Sequence, residues 1–217
     1  MRQLHIDLVS DIACPWCAIG YARLLLALQQ LEGKVQVSLS WRAFELNPDP
    51  DLVPEPILPA LARKYGRSEA EMQQSQQQLM EIAKGLGLNF SGMQQRNTSN
   101  TFNGHRLVKW AAGFNQQSAM KLALFDAYFG QAEDVNNKAV LLNAVQAAGL
   151  DPVQAQAVLD SDAFAAEVRA EEAHYQNAGI QSVPAFIINQ QYLISGAREP
   201  EVLAQALEQI AAEITDA

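Results

Sequence analysis

Cys14-Pro15-Trp16-Cys17 contains both cysteines of the chain and marks the point where an apolar strand turns into an apolar helix. Before it, Leu4, Ile6 and Leu8 alternate with His5 and Asp7, and Val9 follows, the pattern of a strand partly buried on both faces. After it, Tyr21, Leu24, Leu25, Leu28 and Leu31 recur at helical spacing. On a wheel of about 3.6 residues per turn, Cys17 falls inside that stripe and is expected to face the core. Cys14 lies in the first turn, where free backbone N–H groups and the positive end of the helix dipole favour a thiolate. One exposed, activated sulfur beside a sheltered partner is the arrangement that thiol-disulfide exchange requires.

Reading on, Leu31-Glu32-Gly33-Lys34 stops the helix, and Val35, Val37, Leu39 and Trp41 alternate as a second strand. Strand, helix, strand is a βαβ unit. Its right-handed crossover makes the two strands parallel and puts the cysteines at the carboxyl end of the first, where α/β sheets place their ligands. The proline-rich run Asn47 to Pro56 then closes this part of the chain. From Ile57 to about Leu159 the period is helical throughout. Ser68-Glu69-Ala70-Glu71 is a capping box, and Asn97 to Asn100 precede a helix carrying His105, Leu107, Val108, Trp110 and Ala111. Further helices are expected around Ala119 to Phe129 and Ala139 to Ala148, and another opens at Asp151-Pro152. The glutamines between Gln73 and Gln78 sit within a helical pattern and read as a solvated face. The α/β pattern resumes with a helix from Asp162 to Asn177, a strand Ala185 to Ile188, a turn at Asn189-Gln190-Gln191, a strand Tyr192 to Ser195 and a last helix with Val202, Leu203, Leu207 and Ile210 on its inner stripe. The fold class is therefore α/β: βαβ, a helical insertion, then αββα. Residues 1–55 and 160–217 form one discontinuous domain, and 56–159 an inserted all-helical one.

The bulk properties narrow the function classes. A chain of 217 residues with 49% apolar and 18% charged residues can bury a full core without staples, so its two cysteines are no disulfide scaffold. The net charge of −9 argues against nucleic acid or an anionic membrane as partner. Met1-Arg2-Gln3-Leu4 runs into the first strand without an apolar leader, which points to the cytoplasm.

This element order, together with Cys14-Pro15-Trp16-Cys17, Trp41-Arg42-Ala43-Phe44-Glu45-Leu46-Asn47-Pro48, Asn97-Thr98, His105-Arg106-Leu107, Val183-Pro184 and Ser195-Gly196-Ala197, resembles the DsbA family of thiol-disulfide oxidoreductases in its FrnE-like branch. The resemblance covers nearly the whole chain. It implies a thioredoxin-like fold with a helical insertion, a catalytic Cys14, a resolving Cys17, and a cis bond between Val183 and Pro184 packed beside them. It also implies thiol or disulfide substrates, protein or small molecule, with glutathione among the candidates.

Val183, Trp16 and His105 are the candidate substrate contacts. His105 has two readings: a polar group lining the groove above Cys14, or a partly exposed helix histidine. Trp110, Phe114, Leu122, Leu124, Phe125 and Tyr128 read as core. Asp11 could accept a proton from the cysteines or cap the helix; Asp7, on the strand, has no settled environment. A CxxC pair also forms half of many zinc sites, but His5, His105 and His174 are too scattered to complete one. No metal, flavin or nicotinamide is implied, since no glycine-rich phosphate loop follows a strand. Two other functions stay in view: a glutathione-dependent isomerase or transferase of small aromatic compounds, and a holdase-like binding module using an apolar groove in the insertion.

Overall fold

A computed structural model describes residues 2–213. Strand β1 (Arg2–Ser10) leads into helix α1 (Pro15–Gln30) and strand β2 (Val35–Ala43). Six helices follow: α2 (Ile57–Tyr65), α3 (Glu69–Gly85), α4 (Phe102–Ala111), α5 (Gln117–Phe125), α6 (Lys138–Ala147) and α7 (Pro152–Leu159). Then come α8 (Ala165–Asn177), strands β3 (Ala185–Ile188) and β4 (Tyr192–Ser195), and α9 (Pro200–Glu213). This is the α/β thioredoxin-like order with a helical insertion.

The sheet runs β2-β1-β3-β4, with β1 parallel to β2 and antiparallel to β3. Central position explains why β1 is apolar on both faces. Its even residues Leu4, Ile6 and Leu8 join the main core with α1 and α9, while Val9 packs with Phe44 and with Tyr175 of α8. Fully burying each such aliphatic side chain contributes roughly 1.5–3 kcal/mol, so the first strand anchors both layers. On the Val9 face, Asp7 is buried and answered by Arg42 Nε at 2.6 Å and His5 Nε2 at 3.1 Å, which settles its environment. The main core continues without a break into the inserted helices through Leu107, Met120, Leu124 and Phe129.

Local signals were honoured where they were short in range. Ser68 and Glu71 form the capping box of α3, and Asp151 caps α7 with Pro152 behind it. The glutamines of α3 are solvated except Gln76, which is buried against Arg96 at 2.9 Å. Several positions depart from the pattern. Leu25 and Val202, counted on inner stripes, are exposed, so α1 and α9 present narrower apolar faces than the sequence spacing suggests. Phe114 and Leu122 are exposed, not core. The helix expected from Asp162 starts only at Ala165, because Phe164 adopts φ 62° and breaks the helical run before it. Helix α5 passes at Asp126–Gly130 into a π turn, so the expected single helix changes its hydrogen-bond pattern there.

Candidate active site

The sharp turn from β1 into α1 is built by backbone bonds on either side of the cysteines. The Asp11 carbonyl accepts from Cys14 N at 3.3 Å, and the Cys14 carbonyl from Cys17 N at 3.0 Å. Cys14 has extended φ and ψ and stands as the N-cap of α1; Pro15 follows, where a missing N–H costs nothing. Both thiols are free. Cys17 has no exposed surface and lies among core side chains, as its place on the wheel predicts. Cys14 is also buried, at 5% exposure, and so is not the open sulfur expected from its position. The reason lies across the site: Val183 covers it, and Cys14 Sγ donates to the Val183 carbonyl at 3.6 Å.

The Val183–Pro184 bond is cis, as the family resemblance implies. Its loop is tied to the sheet and to α1. Gly196 N donates to the Pro184 carbonyl at 2.8 Å, and Arg23 Nη1 to the Ala197 carbonyl at 2.6 Å. Gly20, one turn beyond Cys17, lets this loop close: a Cβ there would stand 3.0 Å from Pro184 Cγ and 3.3 Å from Phe186 Cζ. Its only sequence signal was a glycine inside a helix, which costs about 1 kcal/mol relative to alanine and therefore asks for a packing reason. Trp16 is exposed at the rim of the turn.

Beneath the turn lies a buried polar cluster. Asp11 is 1% exposed, and α1 has no side-chain cap bond, so the carboxylate does not cap the helix. Its Oδ1 accepts from Ala13 N at 3.2 Å, Thr101 Oγ1 at 2.8 Å and His105 Nε2 at 3.3 Å. Its Oδ2 accepts from Leu46 N at 2.7 Å. Burial pushes Asp11 up, but the bond and charge of His105, with the bonds from Leu46 and Thr101, prevail and hold it below the ordinary carboxylate range. His105 corrects both sequence readings. It is 2% exposed and paired with Asp11, so it is not a partly exposed histidine and offers no surface to a groove. Burial, helped by the charge of Lys121, lowers its basicity against the pull of Asp11, whose carboxylate lies 3.3 Å from Nε2. Burial also pushes the Cys17 thiol well up, reinforced by Cys14 and opposed by Lys121. Lys121, on α5, was not among the sequence candidates.

Residues 5–208 match the DsbA-like thioredoxin domain. The chain belongs to the DsbA-like thioredoxin family. Among solved structures, a probable DsbA oxidoreductase from Streptomyces coelicolor superposes with a TM-score of 0.87 at 35% identity, over 95% of this chain and 89% of that one. The YwbO protein of Bacillus subtilis strain 168 is 27% identical over 206 residues, which is 94% of this DsbA-like chain and 96% of YwbO. The cytosolic disulfide reductase DsbM from Pseudomonas aeruginosa, solved with GSH, shares the fold with a TM-score of 0.63 at 16% identity, covering 94% of this chain and 98% of DsbM.

Proposed function

We propose that the chain is a thiol-disulfide oxidoreductase working through Cys14 and Cys17. The Cys14 thiolate attacks a substrate disulfide; a Cys14–substrate bond forms and one substrate sulfur leaves as thiolate. Cys17 then gives up its proton and attacks Cys14 Sγ, closing the intramolecular disulfide and releasing the second substrate thiolate. Two electrons pass to the substrate, and the same steps run backwards oxidise a dithiol. The observation that carries this reading is the meeting of Cys14 Sγ with the Val183 carbonyl at 3.6 Å. A nucleophile beside the backbone of the loop that opens β3 suits a substrate that pairs with that backbone as an added strand, with Trp16 at its rim. Pro184 supports the same reading, since its ring offers no N–H to hold a departing chain.

We place the reaction in the cytoplasm, with protein or small-molecule thiols as partners. Glutathione is a candidate reductant, in keeping with the GSH in the DsbM structure.

The test is exchange between glutathione and a peptide holding a single disulfide. The wild type should accelerate it at least about tenfold over buffer, a barrier change of ~1.4 kcal/mol or more, and Cys14→Ser should abolish the gain. A wild type no faster than Cys14→Ser would overturn the proposal.

A further inference from the structure

Lys121 has no exposed surface. Such a position costs an ammonium several kcal/mol unless hydrogen bonds or an opposite charge replace the lost water. Its Nζ has one long bond, to the Ser10 carbonyl at 3.4 Å, and lies 5.4 Å from the Trp41 ring centroid and 5.5 Å from that of Phe125. Among the described residues, no carboxylate is within ion-pairing distance of it. The groups whose charges act on it come from three directions: Asp11 on the β1–α1 turn, Cys17 on α1 with Cys14 at its N-cap, and Glu171 on α8. His105, on α4, is held toward its uncharged form by burial and pairs with Asp11 at 3.3 Å. The Asp11 carboxylate is already committed to four donors. Glu171 is occupied by Arg42 at 3.0 Å and Lys109 at 2.5 Å. Of the groups able to carry a negative charge, what remains is the cysteine pair, which carries no charge as a disulfide and becomes anionic when reduced.

We propose that Lys121 is a positioning residue of the redox site, its ammonium serving as the counter-charge of the thiolate formed at the Cys14–Cys17 pair. This deepens the oxidoreductase reading above and rests on it. It also gives the helical segment between β2 and α8 a part in the chemistry. On reduction, a substrate dithiol becomes a disulfide and supplies two electrons and two protons. The Cys14–Cys17 bond breaks, Cys14 is left as thiolate, and Cys17 takes one proton. The other goes to water, or to Lys121 where its amine was free. Burial lowers Lys121 to about 8, so its proton is available for such exchange near neutrality. By linkage, a thiolate favoured by the ammonium must favour the ammonium equally.

The decisive variant is Lys121→Met, which keeps an unbranched chain and removes the charge. In the reduced protein, the thiolate absorbance should titrate about one pH unit higher than in wild type, equivalent to about tenfold less thiolate below both midpoints. The equilibrium with glutathione should move about tenfold toward the disulfide form, or ~30 mV. The oxidised variant should melt no lower than wild type, because replacing a buried unpaired charge with an apolar chain is usually neutral or stabilising. A merely structural lysine would move melting and leave the thiolate midpoint alone, and a folded variant with the wild-type midpoint overturns the proposal. Should the variant not fold, NMR of lysine-labelled wild-type protein decides: Lys121 should titrate higher in the dithiol than in the disulfide form, and equal midpoints overturn the proposal. A thiolate that responds to Lys121 in a protein that exchanges no disulfide would sustain this inference and overturn the functional reading instead.

Discussion

Replacing Asp11 by asparagine takes one charge and one acceptor from a carboxylate that receives four hydrogen bonds. With the amide oxygen in the place of Oδ1, the amide nitrogen confronts Leu46 N–H; turned round, it confronts the donors on Ala13, Thr101 and His105. Either way at least one buried donor loses its acceptor, at ~1–3 kcal/mol. The bonds that survive fall from charge-assisted to neutral strength, roughly half. Together these amount to about 3–5 kcal/mol, and at ~2–4 °C per kcal/mol for a chain of this size the melting temperature should fall by about 10 °C. Thermal unfolding of the oxidised protein, followed by circular dichroism near neutral pH, measures it. Asp11 is held below its ordinary range, so its stabilisation is complete above the unfolded value of ~3.9 and is lost as pH falls through the folded value. The gap between wild type and Asp11→Asn should therefore close below about pH 4. Melting within about 1 °C of wild type at neutral pH would refute this account of the carboxylate.

Cys14 should be alkylated at least about tenfold faster than Cys17 in the reduced protein, since it stands at the helix start and Cys17 is sealed in the core; peptide mapping of the adducts checks it, and equal rates would count against it. Gly20→Ala should destabilise by ~1–3 kcal/mol and slow disulfide exchange, because the new methyl group meets the Pro184 ring at 3.0 Å; unaltered melting and exchange would show that the loop yields freely. Burial, with Glu172 beside it, pushes Glu45 up to about 7. A carboxyl raised above its unfolded value of ~4.3 contributes stability at low pH and loses it as pH rises through the folded value, so wild type should lose melting temperature relative to Glu45→Gln between about pH 5 and pH 8. Parallel curves for the two proteins would contradict that.

The parts of this molecule legible from sequence are those set by neighbours along the chain. The alternation of Leu4, Ile6 and Leu8, the stripe around Cys17, the Ser68–Glu71 capping box and the Asp151-Pro152 helix start each depend on a few consecutive residues, and each is present. Pro184 was legible through family resemblance, not through any local rule. What escaped depends on distant partners. Asp11 is defined by Thr101 and His105, which lie 90 and 94 positions away, and Lys121 by Ser10 at 111. A lysine on a helix ordinarily faces water, so nothing in its surroundings along the chain marks Lys121 as buried. Cys14 was expected to be open because the reading knew its helix and not the loop that Val183 lays over it.

The central claim, that Cys14 is the nucleophile and Cys17 resolves its adduct, is tested most directly by trapping the mixed disulfide. Cys17→Ser incubated with a chromogenic aromatic disulfide should hold one stable adduct, mapped by peptide mass to Cys14, whereas wild type should expel it and close the Cys14–Cys17 bond. An adduct that wild type retains as long as the variant does, or one that forms on Cys17 of Cys14→Ser as fast as on Cys14, would contradict the account.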